Sequence, residues 1–301
     1  MFYPAGVRVE YREEPCRTAL NPVKGMPFGW SLNPYMGCAH RCTFCYVRAF
    51  EQRADRPSGE EYGVSIRVKI NVVDVLRLEL ARKSWRGEPV AIGAATDPYQ
   101  PAEGRYRLTR GCLEALATAS NPFHIVTRGP LVVRDVDVLA HAAVRAKVSV
   151  TFSVPTLDDD VWRRTEPGTA PPRQRLRAHS VLREAGIEAG VAIAPVLPGI
   201  SDKPEQLAGV VEAARTAGAT SIWSKVVNLR PGTREHFLSH LADDWPDLAP
   251  FYERLYGTGS YPPRQTEHHV RDLVAEARRE RPLRKGKRLR PRAPAVQLEL
   301  L

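Results

Sequence analysis

Short β-prone runs alternate with helical stretches through the middle of the chain, and few folds accommodate such a pattern. The strand candidates are residues 30–33, 90–95, 123–127, 148–154, 188–196 and 221–227. Helix candidates lie near 72–85, 108–120, 135–145, 173–185 and 203–217. Strands that alternate with helices call for βαβ units and a parallel sheet. The later strands recur about every thirty residues, the length of one unit. The expected fold is therefore α/β, a partial (βα)6 barrel of the TIM type. Residues 1–28 read as an N-terminal extension, 29–240 as the barrel and 241–281 as a C-terminal helical cap. The cap takes in an aromatic- and proline-rich stretch, 242–263, and a last helix near 266–281. Residues 282–301 form a basic tail expected to be disordered.

Side chains alternate across a strand with period two. One face of 148–154 carries Val148, Val150, Phe152 and Val154, the other Ser149, Thr151 and Ser153. Ala91, Gly93, Ala95 and Asp97 share a face, as do Gly190, Ala192 and Ala194. A closed eight-stranded barrel fills its interior with Val, Ile and Leu. Small and polar residues facing inward would instead leave a hollow for a ligand, at the strand C-termini where such folds gather their active sites. The competing reading is that small residues let neighbouring elements approach closely.

The segment GWSLNPYMGCAHRCTFCYVRAF brings three cysteines into eight residues, with the spacing C-x3-C-x2-C: Cys38, Cys42 and Cys45. Their thiolates can converge only if the backbone loops around one centre, and Gly37 eases that loop. A closed zinc site wants four ligands, usually with C-x2-C pairs. Here a second pair is missing, Cys16 and Cys112 stand apart, and His40 lies inside the loop. A 4Fe–4S cluster normally takes four thiolates. Three would leave one iron open to a substrate or cofactor, as an open zinc position is.

Lys plus Arg exceeds Asp plus Glu by 44 to 34, a net charge of +10. Most of the excess lies in residues 278–292, with nine basic residues against one acid, Glu280. Such a run would track a phosphate backbone by releasing counterions. Equally, it reads as a solvated tail, since Pro282, Pro291 and Pro294 deny it a helix. No apolar run reaches the ~18 residues of a membrane span. The first fifteen residues lack the pattern of a signal peptide, so the expected location is the cytoplasm.

The C-x3-C-x-aromatic-C run at the end of a first strand, heading a series of βα units, resembles the radical SAM superfamily. The segments NPYMGCAHRCTFCY, ATDPYQPAE, LTRGCLEAL, IVTRG, RDVDVL and APVLPGISD are similar to its spore photoproduct lyase-like branch. The likeness runs from about residue 21 to residue 232. It implies a 4Fe–4S cluster on Cys38, Cys42 and Cys45 whose open iron chelates S-adenosylmethionine (SAM). It implies reductive cleavage of SAM to methionine and a 5′-deoxyadenosyl radical, which abstracts hydrogen from the substrate. A flavodoxin or ferredoxin would donate the electron. The expected substrate is a nucleic acid or nucleotide. The alternatives are a nucleic-acid-binding module with a structural metal, or a radical SAM enzyme acting on a peptide or small molecule.

By the same resemblance, Tyr46 would pack near the adenine of SAM. Thr96 and Asp97 would serve its amino end, and Arg128 would pair with its carboxylate. Ser153 would bond the ribose or methionine, and Ala194 with Pro195 would line the adenine slot. Glu166 and Arg175 would reach SAM or form a loop ion pair. The photoproduct lyases carry a hydrogen-donating cysteine just before the turn of the second strand. This chain reads Gly93–Ala94–Ala95–Thr96–Asp97 there, with Tyr99 and Tyr106 as the nearby substitutes.

Overall fold

In the computed structural model, which describes residues 8–283 together with 286, 288 and 289, the strands are β1 (Glu10–Glu14), β2 (Leu20–Pro22), β3 (Trp30–Leu32), β4 (Tyr35–Met36), β5 (Ser65–Lys69), β6 (Val90–Ile92), β7 (Phe123–Thr127), β8 (Val148–Ser153), β9 (Glu188–Val196) and β10 (Ile222–Val226). Seven of them form one sheet in the order β10-β9-β8-β7-β6-β3-β2. From β3 to β10 every neighbouring pair is parallel, and only β2 runs antiparallel, at the edge. The expected strands thus supply the six parallel strands of the sheet. Its hydrogen bonding ends at β10 and β2, so the sheet is open, and the fold is α/β with a mostly parallel sheet, consistent with a partial barrel of the TIM type.

The β-branched pattern explains the sheet's outer side. Val148, Val150 and Phe152 of β8 alternate with Val191 and Ile193 of β9 in one buried core. Helices Leu108–Thr118, Val136–Ala143, Pro172–Glu184 and Pro204–Thr216 supply Leu113, Leu139, Leu182 and Val211 to that core. The last helix, Arg264–Glu280, adds Val270, Val274 and Ala277 to it. It therefore belongs to the outer helical layer, against β10 and Pro204–Thr216, and not to a cap. The aromatic stretch before it does make a separate apolar cluster. Phe237, Leu241, Tyr252 and Tyr256 pack there with Phe44, Leu197, Val227 and Leu229.

The other side of the sheet carries the small and polar residues. Ala91, His124, Ser149 and Glu188 align across four strands, and His124 Nδ1 lies 2.8 Å from Ser149 Oγ. Thr151 aligns with Gly190, and Ser153 with Ala192. Gly190 is small for packing, not for a hollow: a Cβ there would stand 2.2 Å from Ser221 Oγ.

Two features escaped the sequence pattern. The N-terminal extension places β1 beside β5 in a second, three-stranded sheet completed by β4. Within the basic tail, the Leu289 amide donates to Gly186 O at 2.8 Å, and Leu283 and Leu289 pack on the main core. Residues 284, 285, 287 and 290–301, and any order or disorder in them, lie outside the described residues.

Candidate active site at the strand C-termini

The cysteine loop leaves β4 through Gly37, whose φ of +84° favours a residue without Cβ. Cys38 and Cys42 are buried and Cys45 is half-buried; all three thiols are free of disulfides. Burial pushes the Cys42 thiol up to about 12, opposed by the Arg128 guanidinium. Burial, then Asp97 and the other two thiols, pushes Cys38 well above the ordinary thiol range. As free thiols Cys38 and Cys42 are held neutral, and a bound cation would reverse that by stabilising thiolate.

The loop is held from several sides by buried polar residues. Gln100 Oε1 accepts from the Ala39 amide at 3.0 Å, while its Nε2 donates to Gly37 O at 3.0 Å and to Thr96 Oγ1 at 2.8 Å. Thr96 Oγ1 in turn donates to Gly37 O at 2.6 Å. Arg48, fully buried, donates to Cys42 O and Arg41 O at 3.3 Å and to Ser58 O and Gly59 O at 2.7 and 2.6 Å. Its guanidinium lies 4.6 Å from the Tyr62 ring centroid, and the Tyr62 hydroxyl is 3.6 Å from Cys45 Sγ. Thr233 Oγ1 donates to Cys45 O at 3.0 Å. The amide of Gly168 donates to His40 O at 3.0 Å, and that of Thr43 to Thr165 O at 2.9 Å. Three thiols on a short loop are thus fixed by their backbone, as a preorganised ligand set requires.

The other expected residues meet in one hydrogen-bonded network. Asp97 is surrounded by donors: Oδ1 accepts from the Tyr99 amide (2.9 Å) and Thr127 Oγ1 (2.6 Å), and Oδ2 from the Arg128 amide (2.7 Å). His40 Nδ1 stands 3.4 Å from Oδ2. Burial alone would raise the Asp97 pKa, but His40, Thr127 and Arg128 hold it at about 2. Asp97 therefore orients Arg128 and offers no free oxygen. Arg128 donates through Nε to Glu166 Oε1 (2.6 Å) and through Nη2 to Ala194 O (3.1 Å), its guanidinium 5.5 Å from the Phe44 ring centroid. The same Glu166 oxygen accepts from Arg175 Nη1 at 3.0 Å, and Arg175 also donates to Ser153 O at 2.9 Å. The ion-pair reading of Glu166 and Arg175 is the observed one. Burial would raise the Glu166 pKa, yet Arg175 and Arg128 lower it. Ala194 precedes a cis peptide bond to Pro195. Tyr46 is 46% exposed and its hydroxyl donates to Ala94 O.

Among the described residues, the buried acceptors without a hydrogen-bond partner include Glu166 Oε2 and Asn228 Oδ1, both at this end of the sheet. Buried polar groups are normally paired, so both are candidates to accept from a ligand's donors. Asn228, Gln100, Arg48 and Tyr62 were not singled out from the sequence. Gln100 and Arg48 carried a signal, standing four residues after Thr96 and three after Cys45; Asn228 and Tyr62 carried none. Cys112 and Cys16 pack with the main core, Tyr99 OH donates to Asp135 at 3.1 Å, and Tyr106 OH donates to Glu13 at 2.8 Å. The structure joins none of these four side chains to the network around Arg128.

Residues 32–211 match the family model described as Radical SAM superfamily. The chain is 39% identical over 270 residues to Rv2578c of Mycobacterium tuberculosis, an uncharacterized protein, covering 89% of this chain and 79% of that one. It is 28% identical over 168 residues to the Radical SAM Nalpha-GlyT isomerase of Pseudomonas phage M6, covering 56% of this chain and 33% of the isomerase. The fold matches that of a spore photoproduct lyase mutant with bound AdoMet and dinucleoside spore photoproduct. There the TM-score is 0.70 at 15% identity, over 90% of this chain and 79% of the lyase.

Proposed function

The chain belongs to the radical SAM superfamily, and from that premise we propose that it is an enzyme holding a 4Fe–4S cluster on Cys38, Cys42 and Cys45. The observation that carries this reading is the set of three free thiols on one short loop, held by buried Gln100, Thr96 and Arg48. A closed zinc site wants a fourth ligand, and Cys16 and Cys112 pack instead with the main core. A cube of iron and sulfide spreads its thiolates over separate corners, and three of them leave the fourth corner without a protein ligand.

When bound, a 4Fe–4S cluster with SAM supplies one-electron cleavage of a carbon–sulfur bond and so the 5′-deoxyadenosyl radical that abstracts hydrogen from substrate. The chain's own residues supply position. Arg128 keeps Nη1 for the SAM carboxylate, its other two nitrogens being fixed by Glu166 and Ala194. Glu166 Oε2 and Asn228 Oδ1 accept from the ammonium group or the ribose hydroxyls. Tyr46 flanks the adenine, Ser153 and Ala194 line the slot, and Thr96 and Asp97 act by holding Gly37 and Arg128. Flavodoxin or ferredoxin delivers the electron.

The substrate we infer is a nucleic acid or nucleotide. The lyase of similar fold binds a dinucleoside, and Trp223, 45% exposed, stands on the same side of the sheet as Ala192. An exposed aromatic of this kind suits base stacking. With Ala94 and Ala95 ahead of the Thr96–Asp97 turn and Cys112 in the core, a thiol hydrogen donor of the lyase kind is not part of this proposal.

Anaerobic loading with iron and sulfide, followed by dithionite and SAM, tests the reading. About four irons per chain and release of 5′-deoxyadenosine are expected, with both lost in Cys42→Ala. Protein that takes up no iron, or a Cys42→Ala variant that retains both properties, overturns it.

A further inference from the structure

On the outer side of the cysteine loop, three side chains converge that the network above does not use. His236 and His240 stand four residues apart in helix Thr233–Asp244, a spacing that stacks side chains on one helix face. Their rings lie 4.5 Å apart between centroids. Glu60, from the segment between helix Arg48–Arg53 and β5, reaches across to both. Its Oε1 is 3.4 Å from His236 Nδ1 and 3.1 Å from His240 Nε2. Among the described residues this is the group of His, Cys, Asp or Glu whose ligand atoms all lie within 4.8 Å of one another.

We propose that Glu60, His236 and His240 form a second metal site, for one divalent cation of the zinc class.

The distances fit the ion. Zinc bonds imidazole nitrogen at about 2.0–2.1 Å and carboxylate oxygen at about 2.0–2.2 Å. The edges of such a tetrahedron are about 3.3–3.4 Å. The two nitrogen-to-oxygen separations observed lie at or just inside that length. Two imidazoles and a carboxylate are a recognised zinc donor set, with a fourth position left for water. A hydrogen bond between one histidine and the carboxylate would explain one short contact. Two imidazole N–H groups donating to that one oxygen would give both contacts, and zinc uptake is what separates that arrangement from a metal site.

The surroundings also suit a site. Arg41 Nη2 lies 3.6 Å from Glu60 Oε2 and donates to Glu60 O at 2.6 Å, which orients the carboxylate and leaves Oε1 to the histidines. Metal-binding carboxylates are commonly held in this way by an outer partner. His236 is buried and His240 half-buried, so two of the three ligands sit against a fixed helix.

The position gives the site a task. Residues 58–62 supply Ser58 O and Gly59 O to Arg48, and Tyr62 to Cys45. The helix of His236 and His240 supplies Thr233 to Cys45 O. A cation bridging Glu60 to that helix would therefore fasten two walls of the cysteine loop to each other. It would act as a brace outside the reaction centre, and it does not depend on what the cysteines hold.

The test is zinc binding by the full chain, loaded with iron and sulfide, with a chromophoric chelator as competitor. Wild type, Glu60→Gln and His240→Ala are compared. Both substituted positions are at least partly exposed, and far-ultraviolet circular dichroism checks that each variant folds. One Zn2+ per chain is expected in wild type beyond any held by thiols. Losing an outer partner typically weakens a metal site by about 10–100-fold, so losing His240 should cost at least about 100-fold. Zinc should also raise the melting temperature of wild type and leave that of His240→Ala unmoved. Zinc caught by the cysteines would persist in both variants. Equal affinity in all three proteins, or no zinc bound by wild type outside the cysteines, overturns the proposal.

Discussion

The two sides of the main sheet are built on opposite principles. Toward the helices, Val150, Phe152, Val191 and Ile193 are buried among Leu, Val and Ala with no polar partner to satisfy. Toward the cysteine loop, Asp97 and Arg128 beyond the strand ends meet Glu166, at the end of helix Asp159–Thr165, and Arg175, near the start of helix Pro172–Glu184; all four are buried or half-buried and joined by hydrogen bonds. The first arrangement stabilises by removing apolar surface from water and tolerates changes of shape. The second confines charges where each must keep its partner, because a buried charge left alone is costly. Stability resides mainly on one side and chemistry on the other.

The sharpest way to break this division is at Glu166. Glu166→Gln keeps the shape but removes the carboxylate that Arg128 and Arg175 share. Removing one partner of a buried pair costs about 3–5 kcal/mol. Urea unfolding of the iron-free protein should show that loss, and 5′-deoxyadenosine formation should fall with it. Unchanged stability would mean that the polar side does not depend on its charges.

Acid probes the helix side next, at one buried histidine. His179 packs against Phe152 on the helix side, ring centroids 5.7 Å apart. Burial lowers its pKa to about 4, from 6.5 when exposed. The neutral form is favoured in the folded state, so its contribution is complete above about pH 6.5. That contribution is lost as pH falls toward 4, on the order of 3 kcal/mol. Asp97, held at about 2, keeps its contribution above the ordinary aspartate pKa of about 3.9 and loses it as pH falls toward 2. Between pH 6.5 and 4 His179 shares this loss with His124 and His236, whose pKa values burial also lowers, His236 to about 3. Replacing His179 by Gln should therefore reduce the slope in that window without abolishing it; a slope unchanged in His179→Gln contradicts the assignment.

The division also governs what could be read from the sequence. The apolar side follows a period of two in β8 and β9 and a helical period between them, so the six parallel strands were legible. The β6 candidate ran to residue 95, but pairing stops at Ile92, where the chain turns at Gly93. The small sheet of β1, β5 and β4 was not legible, because β4 has two residues and β1 pairs with a strand more than fifty positions away. The cysteine spacing marked Cys38, Cys42 and Cys45 as candidate ligands. The residues that hold their loop were harder to see. Gln100 and Arg48 act through backbone carbonyls, which every residue has, so no residue type marks the places they hold. Asp97 and Arg128 were rightly grouped at the strand ends, yet their contacts to each other cannot be read from spacing.

Thr96 tests the boundary between the sides with a smaller effect. Its hydroxyl links Gln100 to Gly37 O, where the cysteine loop begins. Thr96→Val keeps the volume and removes the hydroxyl, leaving Gln100 Nε2 without one acceptor. A buried group that loses its partner costs about 1–3 kcal/mol. Iron content per folded chain should fall further than the melting temperature implies, because the strain is placed at Gly37. Equal losses of iron and stability would make Thr96 an ordinary packing residue.

The smallest effect is expected on the opposite face of the same sheet. Ile193 of β9 is fully buried on the helix side, next in sequence to Ala194, whose carbonyl accepts from Arg128. Ile193→Val removes one methylene and should cost about 0.5–1.5 kcal/mol. Its side chain points away from the network, since neighbours on a strand face opposite sides. Iron content and 5′-deoxyadenosine formation per folded chain should therefore match wild type, measured at a temperature where both proteins are folded. If activity falls while the fold holds, packing on the helix side is transmitted through the backbone of β9 to the Ala194 carbonyl. The two sides would then be one mechanical unit, and small residues such as Ala192 and Ala194 would owe their place to that coupling as well as to the space they leave.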